Sequence, residues 1–152
     1  MMFRRAGPGI EVFLVHPGGP FFDRKDEGAW SIPKGEIGPG QDPLEGARRE
    51  FEEETGQAVE GCARTGSLIP LGSVRQTGGK TVDAWAFEGD WPAGAVLRSN
   101  TFSMEWPPRS GGTREFPEVD RGEFFPVEMA RRKINPAQAE LIERLLERLG
   151  PG

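Results

Sequence analysis

Residues 42–56 read DPLEGARREFEEETG and contain the strongest structural signal in the chain. Asp42 is suited to cap a helix, Pro43 is favoured at the first helical position, and Glu45 completes a capping box. Gly56 is a common C-terminal stop. The pattern therefore predicts a helix over 43–55. Its apolar residues at helical spacing should face the core: Leu44, Ala47 and Phe51.

Three carboxylates of this helix share one face, because Glu50, Glu53 and Glu54 stand at positions i, i+3 and i+4. Like charges at this spacing repel each other, and the C-terminal half of a helix disfavours anions. A divalent cation with a preference for oxygen ligands, such as Mg²⁺, would remove both costs. A solvated acidic face is the alternative, and the spacing alone leaves both interpretations open.

The segment before this helix, residues 33–40, reads PKGEIGPG and approaches the acidic face. Lys34 can meet a phosphate, and Gly35 allows its backbone carbonyl to come close to a metal. Because a cation site and a phosphate contact would then adjoin, the two segments together favour metal binding.

The combined pattern resembles the Nudix box, with Gly35, five residues, Gln41, seven residues, and then Arg49-Glu50-Phe51-x-Glu53-Glu54-x-Gly56. Gln41 stands where the box has its first glutamate, and Gln57 where it has a hydrophobic residue. The segments WSIPKGE at 30–36 and INPAQAELI at 134–142 are similar to those of bacterial MutT-like members. The resemblance covers nearly the whole chain.

The resemblance implies roles for individual residues. Glu50, Glu53 and Glu54 would ligate Mg²⁺ or Mn²⁺ with the carbonyl of Gly35, and Glu50 or Glu53 would accept the proton of the attacking water. Arg49 would orient a carboxylate of the helix. The predicted catalytic set consists of Arg49, Glu50, Glu53 and Glu54. Members often use a further glutamate outside the box. Glu118, six residues before Phe124, fits as a metal ligand, with Glu115 as the second choice and a solvated loop carboxylate as the alternative.

Substrate-binding residues are less strongly indicated. The predicted set is Lys34, Trp30, Arg5 and Arg75. Other residues that could stack on a base or bind a phosphate are Phe21, Phe22, Trp85, Trp106, Arg4, Lys80 and Arg109. Aromatic residues are more often part of a core than of a ligand site. His16 and Cys62, each single in the sequence, are expected to be structural.

The remaining chain predicts an α+β protein in which a mixed sheet lies between helices, as in the Nudix fold, in a single domain over 1–152. A second helix should start at Asn135 with an apolar stripe that packs on the core. Residues 107–117 are expected to be a loop. Strands are predicted at 11–16, 30–32, 67–76, 81–88, 101–106 and 123–127, with a turn at 78–79.

Composition limits the class of protein. The 152 residues have a net charge of −5, which argues against a general duplex nucleic-acid binder. No apolar run approaches the length of a membrane span, and one cysteine excludes an internal disulfide, so a cytoplasmic protein is expected. The sequence leaves open whether the chain is a monomer or a homodimer.

The expected activity is hydrolysis of a diphosphate linkage in a small nucleotide-type substrate. A dinucleoside polyphosphate or a nucleoside triphosphate is favoured, and ADP-ribose or another sugar nucleotide stays open. The alternative is a Nudix-fold binding module without catalysis. Hydrolysis at the 5′ end of RNA is a third hypothesis, which the acidic composition disfavours.

Overall fold

The computed structural model describes residues 1–34, 40–76 and 78–150. The strands are β1 (Met2–Ala6), β2 (Gly9–Pro17), β3 (Ile69–Arg75), β4 (Thr81–Glu88), β5 (Thr101–Glu105), β6 (Thr113–Pro117) and β7 (Val119–Pro126). The helices are α1 (Pro43–Thr55), α2 (Val59–Cys62), α3 (Val127–Lys133) and α4 (Ala139–Leu149), with a 3₁₀ turn at Pro136–Gln138 before α4.

Five strands form one sheet in the order β3-β4-β1-β2-β7. Strand β1 pairs antiparallel with β2 and parallel with β4, and the other pairs are antiparallel, so the sheet is mixed. The sequence did not predict β1, which occupies the centre of this sheet. Its five residues form a strand because β2 and β4 satisfy its backbone groups on both sides.

Helices cover both faces of the sheet, as predicted. Val12 and Leu14 of β2 point into one core with α3 and α4, whereas Phe13 and Val15 point into the other with α1. The predicted apolar stripe of α4 packs in the first core through Leu141, Ile142 and Leu145. The prediction of an α+β protein with a mixed sheet between helices is confirmed.

Helix α1 has the predicted bounds. The Asp42 side chain accepts a hydrogen bond from the backbone N–H of Glu45 at 3.3 Å. Gly56 ends the helix with φ 78°, and its N–H donates to the carbonyl of Glu52. Phe51 is buried against the edge of Phe87, with ring centroids 5.4 Å apart. This contact fixes which side of α1 faces away from the sheet.

The predicted loop over 107–117 is wrong in its second half. Residues 113–117 form β6, which pairs antiparallel with β5, so that Phe116 lies opposite Phe102. The sequence missed this hairpin because its stability depends on cross-strand pairs rather than on a local apolar run. Similarly, β7 starts at Val119 instead of 123, and α3 was not predicted.

Residues 30–32 do not form the predicted continuous strand. Ser31 makes an isolated bridge to Val15, and Trp30 makes one to Ile134. These bridges connect the segment before α1 to the sheet on one side and to the end of α3 on the other. In the described parts of the chain, each helix is too short or too polar to cross a membrane.

Candidate active site

Glu54 is the most buried carboxylate of the predicted site. Its side chain lies in the last turn of α1 and is 7% exposed. The backbone N–H of Lys34 donates to its two oxygens at 3.0 and 3.3 Å, which links the end of α1 to the segment before it. Burial raises the pKa of Glu54 to about 8, against the opposing influence of Lys34. The fold therefore holds this carboxyl where negative charge is costly.

Glu50 lies one turn earlier, with a side chain that is 14% exposed. Burial raises its pKa, and the negative charge of Glu53 raises it further. The charge of Glu118 also raises the pKa of both Glu50 and Glu54. An electrostatic effect on both residues requires Glu118 to lie near both. The structure thus brings together the glutamate outside the box and two glutamates of α1.

Backbone hydrogen bonds hold Glu118 at this position. It lies between β6 and β7, and its N–H donates to the carbonyl of Asn100 at 2.8 Å. Asn100 in turn donates its N–H to the carbonyl of Glu53 in α1 at 2.8 Å. The Glu118 carbonyl accepts from the N–H of Gly18 at 2.9 Å. Glu115 lies within the hairpin opposite Ser103, farther along the chain from this junction.

Arg49 connects the carboxylates of the helix to Gln41. Its Nη2 donates to the Gln41 Oε1 at 3.3 Å and lies 3.5 Å from the Glu50 Oε1. Its Nε lies 3.7 Å from the Glu53 Oε1. The guanidinium therefore contacts carboxylates of α1, as the sequence predicted. Gln41, at the position of the first box glutamate, supplies a neutral oxygen for the same contact.

The donor set suits a hard divalent cation, because each described candidate side chain offers carboxylate oxygens. Among the described residues, no group of three or more His, Cys, Asp or Glu side chains is close enough together to hold a metal ion by itself. Mg²⁺ does not require such a cage, since it is usually bound by one or two carboxylates, waters and substrate phosphates. The mutually repelling Glu50, Glu54 and Glu118 fit that mode. Gly35, predicted to supply a carbonyl, lies outside the described residues.

Lys34 adjoins the carboxylates, but Trp30 does not line the site. Its indole is 1% exposed and packs edge-to-face on Phe125, with centroids 4.9 Å apart. Its Nε1 donates to Asp26 at 2.9 Å. The prediction that Trp30 binds substrate is therefore wrong, because the core covers both faces of the ring.

The two predicted arginines lie away from the carboxylates. Arg5 pairs with Ile10 at the start of β2 and contacts Glu88 at 3.7 Å. The carboxylates lie near the other end of β2, about 23 Å along the strand from Ile10 at ~3.3 Å per residue. Arg75 is exposed at the end of β3, an edge strand. Neither placement supports a phosphate contact at Glu50 and Glu54.

The single histidine and the single cysteine are structural, as expected. His16 is fully buried, with Nδ1 2.8 Å from the Asp120 Oδ1 and Nε2 2.6 Å from the Lys25 carbonyl. Cys62 is buried in the core under α1. No sequence pattern indicated Asn100, which connects Glu118 to α1, because its role depends on backbone contacts between distant segments.

Comparison with known proteins identifies the family of the chain. The model of the NUDIX domain family matches residues 2–145, and the chain belongs to this family. The resemblance to this family that the sequence indicated is thus confirmed, and the hydrolases of this family generally use divalent metal ions. A search of curated proteins found no match.

Several solved structures share the fold. An Ap4A hydrolase from C. elegans, solved as a binary complex, is 19% identical, with a TM-score of 0.66 and coverage of 97% of this chain and 93% of that one. The NUDIX domain of NrtR from Shewanella oneidensis, complexed with ADP ribose, is 17% identical, with a TM-score of 0.63 and coverage of 98% and 84%. A MutT protein from Methanosarcina mazei is 18% identical, with a TM-score of 0.57 and coverage of 99% and 92%.

Proposed function

We propose that this protein hydrolyses a diphosphate linkage in a nucleotide-type substrate, with Mg²⁺ or Mn²⁺ as cofactor. The observation that supports this most strongly is the placement of Glu50, Glu54 and Glu118 near one another: burial raises the pKa of Glu50 and Glu54, and the neighbouring carboxylates raise it further. Three acidic groups placed together without a balancing cation destabilise a fold. Divalent cations that bind the carboxylate oxygens offset this cost and attract a phosphate chain.

Glu50, Glu54 and Glu118 would hold the cation, with Glu53 and the carbonyl of Gly35 as further ligands. A bound divalent cation supplies charge neutralisation of the diphosphate and a lower pKa for a coordinated water. Lys34, whose backbone N–H contacts Glu54, would bind a phosphate oxygen through its side chain. Arg49 keeps Glu50 and Glu53 in position through its two contacts.

The hydrolysis then requires one proton acceptor. A water oxygen attacks phosphorus, the bridging P–O bond breaks, and the water proton moves to Glu50 or Glu53. Glu53 is suited to this step because its side chain is 37% exposed and lies beside Arg49. The leaving phosphate takes the electrons of the broken bond. General-base catalysis of this kind contributes about 10²–10⁴ to a rate.

Dinucleoside polyphosphates and nucleoside triphosphates are the favoured substrates, and ADP-ribose is the next candidate. The fold neighbours include proteins described as an Ap4A hydrolase, a MutT protein and an ADP-ribose complex. Specificity on a shared fold is set by the residues around the site, so these neighbours define the panel to test.

The test is a phosphate-release assay on these three classes of nucleotide, with Mg²⁺, with Mn²⁺ and with EDTA. Products are identified by mass after reaction in ¹⁸O water, which marks the phosphorus that is attacked. We expect metal-dependent cleavage of at least one nucleotide, with one ¹⁸O atom in one product. Metal-independent release, or no release at high enzyme concentration, would contradict the proposal.

A binding module without catalysis is the second candidate, favoured by one observation. Gln41 replaces the first box glutamate, so the contact with Arg49 lacks a negative charge. Absence of hydrolysis for every nucleotide of the panel, combined with binding of ADP-ribose or a dinucleotide measured by calorimetry, would favour this role. The presence of Glu50, Glu53 and Glu54 counts against it.

A further inference from the structure

Two phenylalanines beside the candidate site are exposed to solvent. Among the residues that the structure describes, the exposed large apolar side chains are Phe21 (61%), Phe22 (38%) and Val96 (65%). Phe21 also meets Trp106 edge-to-face, with ring centroids 5.9 Å apart and an interplanar angle of 86°. We call Phe21, Phe22 and Trp106 the aromatic platform. Adjacent exposed aromatic rings near a reactive site indicate a binding surface.

Close backbone contacts hold the loop of the platform against the β5–β6 hairpin. A Cβ on Gly18 would lie 2.0 Å from the Pro117 carbonyl oxygen, and a Cβ on Gly19 would lie 2.8 Å from the Phe102 Cζ. A side chain at Gly18 would therefore clash with backbone atoms, and one at Gly19 would displace the Phe102 ring. Both strands of the hairpin thus contact the loop, through Pro117 of β6 and Phe102 of β5.

The same contacts place the platform near the carboxylates. The N–H of Gly18 donates to the carbonyl of Glu118, whose charge acts on Glu50 and Glu54. Phe21 is three residues after Gly18, a separation that extended chain spans in at most about 11 Å. If the phosphate chain of a substrate binds at Glu118, the group attached to the far end of that chain can therefore contact the platform.

The loop of the platform carries charges of both signs, and one of its cations lies against an aromatic ring. The Lys25 Nζ lies 5.3 Å from the centre of the Phe22 ring, which places a cation beside the exposed aromatic surface. This combination of exposed rings and a nearby cation is the arrangement by which proteins bind a planar base attached to phosphates. Lys25 therefore offers a phosphate oxygen a cation to contact, which a purely apolar occupant would not use.

Other aromatic clusters of the described chain are less suited to this role. A cavity of about 350 Å³ is lined by Phe13, Trp91 and Phe124 among others. Phe13 and Trp91 already stack on each other at 5.5 Å, and the Arg4 guanidinium covers Phe124 at 3.9 Å. The faces of these rings are thus occupied within the protein, whereas Phe21 is 61% exposed.

We propose that the aromatic platform stacks the second base of a dinucleoside polyphosphate, and that it thereby selects dinucleotides over mononucleotides with the same phosphate chain. The proposal rests on the proposed function and names the substrate class of that site. It assigns specificity to Phe21 and Trp106, which lie outside the Nudix box.

The test compares diadenosine tetraphosphate with adenosine 5′-tetraphosphate, which share a phosphate chain and differ by one adenosine. The affinity of each is measured by calorimetry with Mg²⁺ in a Glu53→Gln background, and kcat/KM is measured in the parent protein. The variants are Phe21→Ala and Trp106→Ala. Val96→Ala is the matched control, because Val96 is an equally exposed apolar residue outside the platform.

We expect Phe21→Ala and Trp106→Ala each to lower the affinity for the dinucleotide about tenfold, which is in the range of base–aromatic stacking. The affinity for the mononucleotide should stay within about twofold of the parent. Val96→Ala should change neither. Equal losses for both nucleotides, or no loss for either, would overturn the proposal. A change of oligomeric state in Phe21→Ala with an unchanged affinity ratio would also overturn it, since the surface would then be a self-contact. If the platform variants change the ratio of the two affinities but the parent hydrolyses neither nucleotide, the proposed activity is contradicted and the role of the platform in binding is retained.

Discussion

Glu54 combines deep burial with a position beside other acidic groups, and this has a consequence for stability. Its pKa in the folded protein is about 8, compared with 4.5 as the ordinary value. Between these two values the unfolded chain loses the proton while the folded protein keeps it. The free energy of unfolding should therefore fall as the pH rises from about 4.5 to about 8 in the absence of metal.

The measurement is the Tm as a function of pH from 5 to 8.5, in EDTA, for the parent and for Glu54→Gln. Because glutamine does not titrate, we expect the Tm of the parent to fall by several degrees relative to that of the variant as the pH rises. Parallel curves for the two proteins would show that Glu54 is already ionised in the metal-free fold.

Glu53 offers a test of catalysis within a single helical turn. Glu53→Gln should lower turnover by at least about a hundredfold while the fold is retained, since loss of one catalytic group typically costs 10² or more. Glu52→Gln is the matched control, because Glu52 is the preceding residue of α1 and is exposed outside the acidic cluster. Circular dichroism checks the fold, and near-normal turnover of Glu53→Gln would remove Glu53 from the mechanism.

Gln41 departs from the family pattern, and the structure indicates a small effect. Arg49 contacts Glu50 and Glu53 in addition to Gln41, so a negative charge at position 41 would strengthen an exposed contact worth under about 1 kcal/mol. We therefore expect Gln41→Glu to keep kcat/KM within about tenfold of the parent. A larger gain would mean that the glutamine suppresses activity, which would favour the binding-module hypothesis.

At the level of elements, α1 was predictable because its signals are local. Asp42, Pro43 and Gly56 act within one or two turns of the helix ends, and the structure reproduces both bounds. The positions of Glu50, Glu53 and Glu54 on one face followed from helical geometry. The placement of these carboxylates on α1 was therefore predictable from the sequence alone.

Elements that depend on distant segments were not predictable in this way. Strand β1 needs β2 and β4, and β6 needs β5, because isolated short strands are unstable. The sequence predicted that Trp30 binds substrate because no local pattern shows that it is buried. Its burial depends on the contact with Phe125 from another element. The connection from Gly18 to Glu118 joins residues a hundred positions apart, and no local pattern indicates it.

This connection can be tested at Gly18. A Cβ there would meet the Pro117 carbonyl oxygen at 2.0 Å, so the loop and the hairpin must separate in Gly18→Ala. We expect a loss of about 1–3 kcal/mol in unfolding free energy, typical of overpacking, and lower activity because Glu118 shifts. Urea denaturation and kcat/KM measure the two effects.

Gly66→Ala is the control for Gly18→Ala, since a Cβ on Gly66 has no atom within 4 Å. Its unfolding free energy should stay within about 1 kcal/mol of the parent, or rise slightly because alanine restricts the unfolded chain. Equal effects of the two substitutions would show that the contact between the loop and the hairpin does not position Glu118.

For the molecule as a whole, the proposed function requires an acidic protein to bind a polyanion. The net charge is −5, so long-range electrostatics oppose the approach of a phosphate chain. Glu50 and Glu118 add to this repulsion at the site itself, and Glu54 adds to it once it is ionised. A nucleotide can therefore bind there only if cations bind first or together with it, which makes nucleotide affinity dependent on divalent metal.

Metal binding to the folded protein should raise its stability, because an ion that binds the folded state selectively stabilises it by RT ln(1 + [L]/Kd). We expect the Tm to rise with the logarithm of Mg²⁺ concentration, and to rise more at pH 8 than at pH 6, because a proton on Glu54 competes with the metal. NaCl at equal ionic strength controls for screening, and the double variant Glu50→Gln/Glu54→Gln should show no rise beyond that control. A rise in Tm that is the same at both pH values, or that persists in the double variant, would place the metal elsewhere and remove the electrostatic basis of the proposed function.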